Sequence, residues 1–204
     1  MRLRSLAAVL LATAPAFAGV PSKGDGTITV LGGLRAIPGG DYAGEAGREH
    51  SLWHPGFLAE FGYQLDDELH GGVQIGYMLD NYGGVTPITI HSVQILLALD
   101  TVLAQQSWFT LYAGGGIGYS LNTARTGSGS VEANAAAGFV AVGFRFRLVD
   151  HLAAVVEERY TIASASADPS SSNTVNMGGN LVSAGLMFHF FSPGDKGHPT
   201  APGE

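Results

Sequence analysis

The chain has 204 residues and no cysteine, and its 17 Asp and Glu against 10 Lys and Arg give a formal charge of −7. Without cysteine there is no disulfide, no thiol catalysis and no cysteine metal site. The acidic balance excludes nucleic acid as an expected partner, because nucleic-acid-binding surfaces are basic.

Residues 1–18 predict a cleavable export signal. They contain two early arginines, an apolar stretch shorter than the roughly 20 residues of a spanning helix, and small residues at Ala16 and Ala18. Cleavage after Ala18 leaves 186 residues with 8 Lys and Arg against 17 Asp and Glu, a formal charge of −9. This length fits one domain, predicted over 19–191. The Pro- and Gly-rich residues 192–204 are expected to form a disordered tail.

Eight runs of alternating apolar and polar residues follow the signal. They lie near 27–36, 54–65, 69–80, 87–100, 107–121, 132–148, 151–163 and 179–191. The links after the second, fourth and sixth runs are short, whereas the other four are longer and polar. No apolar run is long enough for a spanning helix. The pattern therefore predicts an all-β fold, an eight-stranded antiparallel up-and-down transmembrane β-barrel with both ends on the short-turn side.

The composition of the two strand faces indicates which face meets lipid. A soluble barrel has the same alternation, with its apolar face inward. A water-facing surface carries abundant Lys and Glu, yet the only lysines, Lys23 and Lys196, lie outside the predicted strands. The apolar face is therefore assigned to lipid. In the last strand this face comprises Val182, Ala184, Leu186, Phe188 and Phe190.

Aromatic residues cluster at the strand ends, as expected for rings at the two membrane interfaces. The predicted periplasmic girdle contains Tyr63, Trp108, Phe109, Phe144, Phe146 and Phe190. The predicted outer girdle contains Trp53, Tyr77, Tyr82, Tyr119 and Tyr160.

The same parity directs a set of polar and charged side chains into the lumen. The predicted lumen residues are Arg35, Glu60, Gln74, Gln94, Arg145, Arg147, Glu157, Arg159 and His189. Opposite charges in this interior are expected to pair, because an unpaired buried charge is costly. Arg35 is predicted to pair with Glu60. Both Arg145 and Arg147 are predicted to pair with Glu157.

These side chains have two interpretations, a polar gate or a fixed ion-pair plug, and the plug is favoured because eight strands enclose little more than side chains. Glu157 and Glu158 are consecutive, so strict alternation would direct one of them to lipid. A bulge, or a strand end at the interface, would resolve this conflict.

Two segments resemble a known family. YAGGGIGYS at Tyr112–Ser120, followed by AAGFVAVGFRFRLVDHLAAVVEERYT at Ala136–Thr161, resembles the small outer-membrane β-barrel domain family that includes OmpA-like, OmpX-like and OmpW-like proteins. The resemblance implies an outer-membrane barrel, with outer-membrane lipid and the barrel-assembly machinery as partners. It specifies the barrel and no activity. The aromatic end of the last strand is followed here by SPGDKGHPTAPGE.

No catalytic residue, metal site or cofactor is predicted. His50 and Ser51 are adjacent in the first long loop, but adjacency is not triad geometry. His50, His54 and Glu49 include plausible metal ligands without a strong spacing motif. GGGIG at Gly114–Gly118 lacks the ending of a phosphate loop, and close packing inside the barrel explains it better.

The leading hypothesis is therefore a non-enzymatic outer-membrane barrel with a structural or loop-mediated binding role. The alternative is a narrow, porin-like channel for small or apolar solutes. Its lumen would be lined or gated by Arg35, Glu60, Arg145 and Glu157. A third and weaker hypothesis is a lipid-modifying enzyme. The sequence does not identify a ligand for the external loops.

Overall fold

A computed structural model describes residues 23–36, 53–82, 87–166, 174–176 and 178–190. The predicted signal, the predicted tail, and Glu49, His50 and Ser51 lie outside these residues. Within the described ranges, no helix is long and apolar enough to cross a membrane.

Eight long strands close into a barrel, and two short strands extend hairpins from it. Each barrel strand pairs antiparallel with its neighbours, in the order β10-β1-β2-β3-β4-β5-β7-β8, and β10 pairs with β8 to close the sheet. The short strands β6 and β9 pair with β5 and β8. The strands are β1 (Gly26–Ala36), β2 (His54–Gln64), β3 (Leu69–Tyr82), β4 (Ile88–Gln105), β5 (Phe109–Thr126), β6 (Gly129–Glu132), β7 (Ala135–Val149), β8 (Leu152–Ser166), β9 (Thr174–Asn176) and β10 (Gly179–Phe190).

The predicted fold is confirmed, including the position of both ends. Gly26 pairs with Phe190, so the first and last strands meet at the end that carries the short turns. We call it the short-turn end, and the opposite end the long-loop end. Asp66 stabilises the turn between β2 and β3, because its Oδ1 accepts hydrogen bonds from the backbone N–H groups of Glu68 and Leu69 at 2.9 and 2.7 Å.

Several strands extend beyond the predicted limits. β4 continues to Gln105 and β5 continues to Thr126, within what was predicted to be the 122–131 loop. A Gly127-Ser128 turn then leads into β6, which pairs back onto β5. Gly-Ser is a dipeptide that two-residue hairpins favour. Thr126 lies seven residues beyond Tyr119, so this hairpin rises about 17 Å above Tyr119.

The strand register fixes the width of the barrel. Partners followed once around the sheet from Arg35 lead to Asp25, 10 residues earlier in the chain, which is a shear number of 10. The path runs through Leu181, Arg159, Ala141, Gly114, Asp100, His70 and Gln64. Eight strands with this shear give a tilt of about 41° and a backbone radius of about 8 Å. Such a lumen holds side chains and little else.

The outer surface is apolar, with aromatic residues towards both ends. Ile117, for example, is 72% exposed in the middle of β5. At the short-turn end the Trp108 ring lies 4.6 Å from Phe109 and 6.0 Å from Phe146, between ring centroids. Trp53, Tyr77, Tyr119 and Tyr160 are exposed nearer the long-loop end. The side chain of Tyr82, the remaining predicted member of the outer girdle, lies outside the described residues.

Candidate functional site: the polar interior of the barrel

The layer nearest the short-turn end is centred on Asp100. Arg145 Nη2 donates to Asp100 Oδ2 at 2.7 Å, and His70 Nδ1 lies 3.0 Å from the same oxygen. The other ring nitrogen of His70 lies 2.8 Å from Thr27 Oγ1. The Arg145 guanidinium also lies over the Tyr112 ring, 4.0 Å from its centroid. The carboxylate thus holds one side chain from each of two other strands, and through them the layer connects five strands.

The next layer is centred on Glu157. Arg159 Nη2 donates to Glu157 Oε1 at 2.8 Å, and the Tyr112 hydroxyl donates to Glu157 Oε2 at 2.8 Å. Arg159 Nη1 also donates to Gln74 Oε1 at 2.6 Å, and the Gln74 amide donates to Glu60. Glu60 Oε1 lies 3.7 Å from His70 Nδ1, which connects the two polar layers. A continuous polar network thus fills the lumen from near the short-turn end to the level of Glu157.

Apolar side chains lie between this network and the long-loop end. Leu58 lies one inward-facing position beyond Glu60 on β2, and Met78 lies two such positions beyond Gln74 on β3. The buried apolar residues at this level are Leu58, Met78, Leu96, Phe139 and Leu181. Arg159 covers the Phe139 ring at 3.9 Å, so the guanidinium joins the polar network to the apolar layer.

A separate ion pair lies at the long-loop end. Arg35 is 2% exposed, and its Nη1 donates to Asp80 Oδ2 at 2.7 Å. Its Nη2 donates to the carbonyl oxygen of Gly178 at 3.0 Å. The guanidinium therefore joins β1 and β3 to the segment that precedes β10.

Small cavities remain within the polar layers. One, of about 40 Å³, lies near the short-turn end and is lined by residues that include Gln64, Arg145, Arg147 and His189. Another, of about 30 Å³, is lined by residues of the network that include Asp100 and Glu157, and Arg145 lines both cavities. A cavity needs roughly 10–15 Å³ for each water that it holds, so the larger cavity has room for about three waters and the smaller for about two.

Glycine makes room for the two rings of the network. A Cβ on Gly143 would lie 2.5 Å from the Tyr112 hydroxyl oxygen, and a Cβ on Gly116 would lie 2.4 Å from the Phe139 ring. A Cβ on Gly118 would lie 2.0 Å from the backbone oxygen of Ile95. Close packing inside the barrel, predicted from GGGIG, is therefore confirmed.

The predicted lumen residues do point inward, but their predicted pairings are wrong. Arg35 pairs with Asp80 and not with Glu60, because Glu60 lies opposite Thr29, six residues and about 20 Å along the strand from Arg35. Arg145 crosses the lumen to Asp100, while Glu157 pairs with Arg159 on its own strand.

Arg147 lies opposite Ala153 in the register, four residues from Glu157, so it too is displaced from its predicted partner. Gln94 is buried on the inward face of β4. His189 points inward near the short-turn end, beside the larger cavity.

Four polar residues of the interior were not predicted as site residues: His70, Asp100 and Tyr112 of the network, and Asp80 of the separate ion pair. Asp80 has the same inward parity as Gln74, and Asp100 has that of Gln94, so alternation alone would have found them. The predicted strands ended at these two aspartates, which made them resemble turn residues. The conflict between Glu157 and Glu158 is resolved by neither a bulge nor a strand end. Alternation simply continues, so Glu157 is buried and Glu158 is exposed.

Among the described residues, no group of three or more His, Asp and Glu side chains is arranged to hold a metal ion. His54 is buried at the start of β2, where its Nδ1 accepts a hydrogen bond from the backbone N–H of Asn81 at 3.1 Å. The other residues of the predicted His50, His54 and Glu49 group lie outside the described ranges.

A closed barrel with a lipid-facing apolar surface, aromatic ends and a side-chain-filled lumen defines a small outer-membrane β-barrel protein. The chain belongs to the outer membrane protein beta-barrel domain family, whose model matches residues 5–190. Its location is therefore the bacterial outer membrane, as predicted.

Several solved structures have the same fold. Neisserial surface protein A matches with 16% identity and a TM-score of 0.58, over 82% of this chain and 98% of that chain. OprG from Pseudomonas aeruginosa matches with 16% identity and a TM-score of 0.54, over 84% and 98%. Ail of Yersinia pestis, in complex with the heparin analogue sucrose octasulfate, matches with 12% identity and a TM-score of 0.51, over 81% and 99%. At these identities the likeness shows the fold alone. A search of the curated proteins finds no significant match.

Proposed function

We propose that this protein is a membrane-anchored scaffold with a closed lumen, and that its function is to bind a ligand at the long-loop end. The observation that carries the proposal is the ion-paired network of the interior. A conducting pore needs a continuous wet path, whereas here each guanidinium of Arg35, Arg145 and Arg159 contacts a carboxylate inside the lumen. The apolar layer of Leu58, Met78 and Leu181 lies across the same path.

The long-loop end supports a binding role. The β5–β6 hairpin rises above the aromatic residues and exposes every residue of β6, including Val131 at 49%. Binding residues concentrate on loops that a rigid scaffold positions. Ail, which has the same fold, was solved with a heparin analogue bound, which is a precedent for ligand binding by a barrel of this size.

A narrow channel is the second candidate, and the cavities favour it. The two described cavities both touch Arg145 and together reach from the short-turn end to the level of Glu157. Transport would then require the Arg145–Asp100 pair to open and the apolar layer to move. Glu60 would be part of the gate, since Gln74 donates to it from within the network.

Single-channel conductance of the refolded mature chain in a planar bilayer tests these two functions. A heat-modifiable gel shift establishes that the barrel has formed. We expect a folded and silent barrel, and we expect Glu60→Ala to lower stability without producing current. Discrete conductance steps that change in Glu60→Ala would overturn the closed-lumen proposal in favour of a channel.

The proposal also excludes catalysis on lipid. Purified barrel incubated with lipid A or phospholipid should leave both unchanged. Turnover that His50→Ala abolishes would contradict a purely binding role.

A further inference from the structure

One carboxylate faces outward from the wall of the barrel. Glu158 is exposed on β8, and its register partners on the two neighbouring strands are Val142 and Val182, both of which are also exposed. Further towards the long-loop end of β8, Ile162 is 60% exposed. Apolar residues therefore flank Glu158 across both neighbouring strands, and on its own strand it lies between Val156 and Tyr160 of the outer girdle.

Glu158 stands apart from the other outward-facing positions. On the outward face of the eight barrel strands, within the described residues, the only other Asp, Glu, Lys or Arg is Arg125. Arg125 lies next to the last residue of β5, in the part of the wall that rises above the aromatic residues. A charge that faces hydrocarbon is costly and marks a functional site by default.

A second polar side chain lies beside this carboxylate. Asn180 Nδ2 on β10 donates a hydrogen bond to Glu158 Oε1 at 3.0 Å. A carboxylate and an amide can together form several more hydrogen bonds, because each oxygen has two lone pairs and the amide has a second N–H. The pair therefore presents acceptors and a donor side by side on the outer wall, which makes it self-complementary under a two-fold rotation.

Most of the side chains around this polar pair are small. On β7, β8 and β10 the outward residues near Glu158 are Val140, Val142, Val156, Val182 and Ala184, together with the larger Tyr160, which lies opposite Asn180 in the register. The opposite wall, on β2 to β5, presents bulkier groups, among them Phe57, Phe61, Ile95, Leu97 and Ile117. Small residues allow two membrane-embedded surfaces to approach closely. Valine and alanine thus predominate on the wall that carries the carboxylate.

We propose that the outward surface around Glu158 and Asn180 binds a second copy of this chain within the membrane. A two-fold axis along the membrane normal would bring Glu158 to the partner's Asn180 and Asn180 to the partner's Glu158. The same patch on both copies then forms an isologous interface, the commonest arrangement of homo-oligomers. The valines and Ala184 pack around the two polar pairs and exclude lipid from them. This surface lies on the outside of the barrel, so the proposal is independent of whether the lumen conducts.

Cross-linking tests the interface directly, since a cysteine-free chain accepts single reporter cysteines. Val182→Cys lies at the patch. Ile95→Cys is the matched control, because it lies on the opposite wall with nearly the same exposure, 49% against 46%. Each variant is refolded into phosphatidylcholine vesicles at several protein-to-lipid ratios and treated with a short bismaleimide. We expect a cross-linked dimer from Val182→Cys and only the random-collision background from Ile95→Cys.

A second substitution connects the dimer to the polar pair. Adding Glu158→Leu to Val182→Cys should weaken dimerisation by about tenfold, which corresponds to about 1.4 kcal/mol, while Glu158→Gln should retain most of the dimer. The gel shift confirms that each barrel is folded, and Glu158→Leu removes a lipid-facing charge, so folding should not suffer. Equal cross-linking at the two positions would overturn the proposal. A Val182→Cys variant that stays monomeric would also overturn it, as expected if the carboxylate instead binds a lipid headgroup. Cross-linking that Glu158→Leu leaves unchanged would do the same.

Discussion

Asp100→Asn removes the charge on which the layer at the short-turn end depends. Asp100 Oδ2 lies 2.7 Å from Arg145 Nη2 and 3.0 Å from His70 Nδ1. The asparagine keeps the shape of the side chain, so the change isolates the charge. Without the carboxylate, the Arg145 guanidinium is left in the lumen with no ion-pair partner.

The magnitude follows from the burial of the pair. Both side chains are only 12–13% exposed, so water replaces little of the lost interaction. Removing one partner of a buried ion pair costs about 3–5 kcal/mol. The asparagine oxygen still accepts a hydrogen bond from Arg145, so we expect the lower end of that range, about 3 kcal/mol. Adding Arg145→Met removes the unpaired charge as well, and the double variant should recover about 1–3 kcal/mol of the loss.

Equilibrium urea unfolding in phospholipid vesicles measures these changes, with the fluorescence of Trp53 and Trp108 as the reporter and the gel shift as a check of folding. Asp67→Asn is the matched control, because Asp67 is exposed in the turn between β2 and β3. It should change the free energy of unfolding by less than about 0.5 kcal/mol. If the double variant loses the full sum of the two single losses, Asp100 and Arg145 are not coupled and the reasoning fails.

Three further predictions concern packing, lipid contact and orientation. Gly143→Val should displace the Tyr112 ring from Glu157 and destabilise the barrel by about 1–3 kcal/mol in the same unfolding assay. The control Gly138→Val should cost less, because a Cβ there meets only a backbone oxygen at 3.5 Å. Equal losses would contradict the close-packing explanation. Ile117→Arg should lower the free energy of unfolding by about 2–4 kcal/mol, and Thr123→Arg, six residues nearer the end of β5, should lower it by about 0–1 kcal/mol. The reverse order of the two urea midpoints would mean that the membrane lies at a different level of the barrel. On intact cells, a membrane-impermeant maleimide should label Ser128→Cys at the hairpin tip and should label Asp67→Cys only after the outer membrane is opened; the opposite pattern would invert the barrel.

Alternation along the sequence was sufficient for the fold and for the direction of most side chains. A period of two assigns each residue of a strand to lipid or lumen, and it gave the correct face to Arg35, Glu157 and His189. It needs no knowledge of neighbouring strands. This is why the consecutive acidic residues, which looked like a conflict, follow the pattern without a break.

Register was not predictable in the same way. The offset between two strands depends on contacts across the whole sheet, and a shear number of 10 shifts partners steadily along the wall. Arg35 and Glu60 occupy adjacent strands but different heights in the barrel. Asp100 and Arg145 are 45 residues apart in the sequence and lie on β4 and β7, which do not pair with each other. Their contact therefore depends on how the sheet curves around the lumen.

Pairing of β1 with β10 has a consequence for how the chain assembles. Gly26 and Phe190 are partners, so the contact that completes the sheet joins almost the two ends of the folded region. Until it forms, β1 and β10 each expose a row of unpaired N–H and C=O groups, which hydrocarbon does not tolerate. Contacts of such long sequence separation form slowly. A chain that lacks β10 would therefore be left with two open edges instead of a smaller barrel, and such edges invite aggregation.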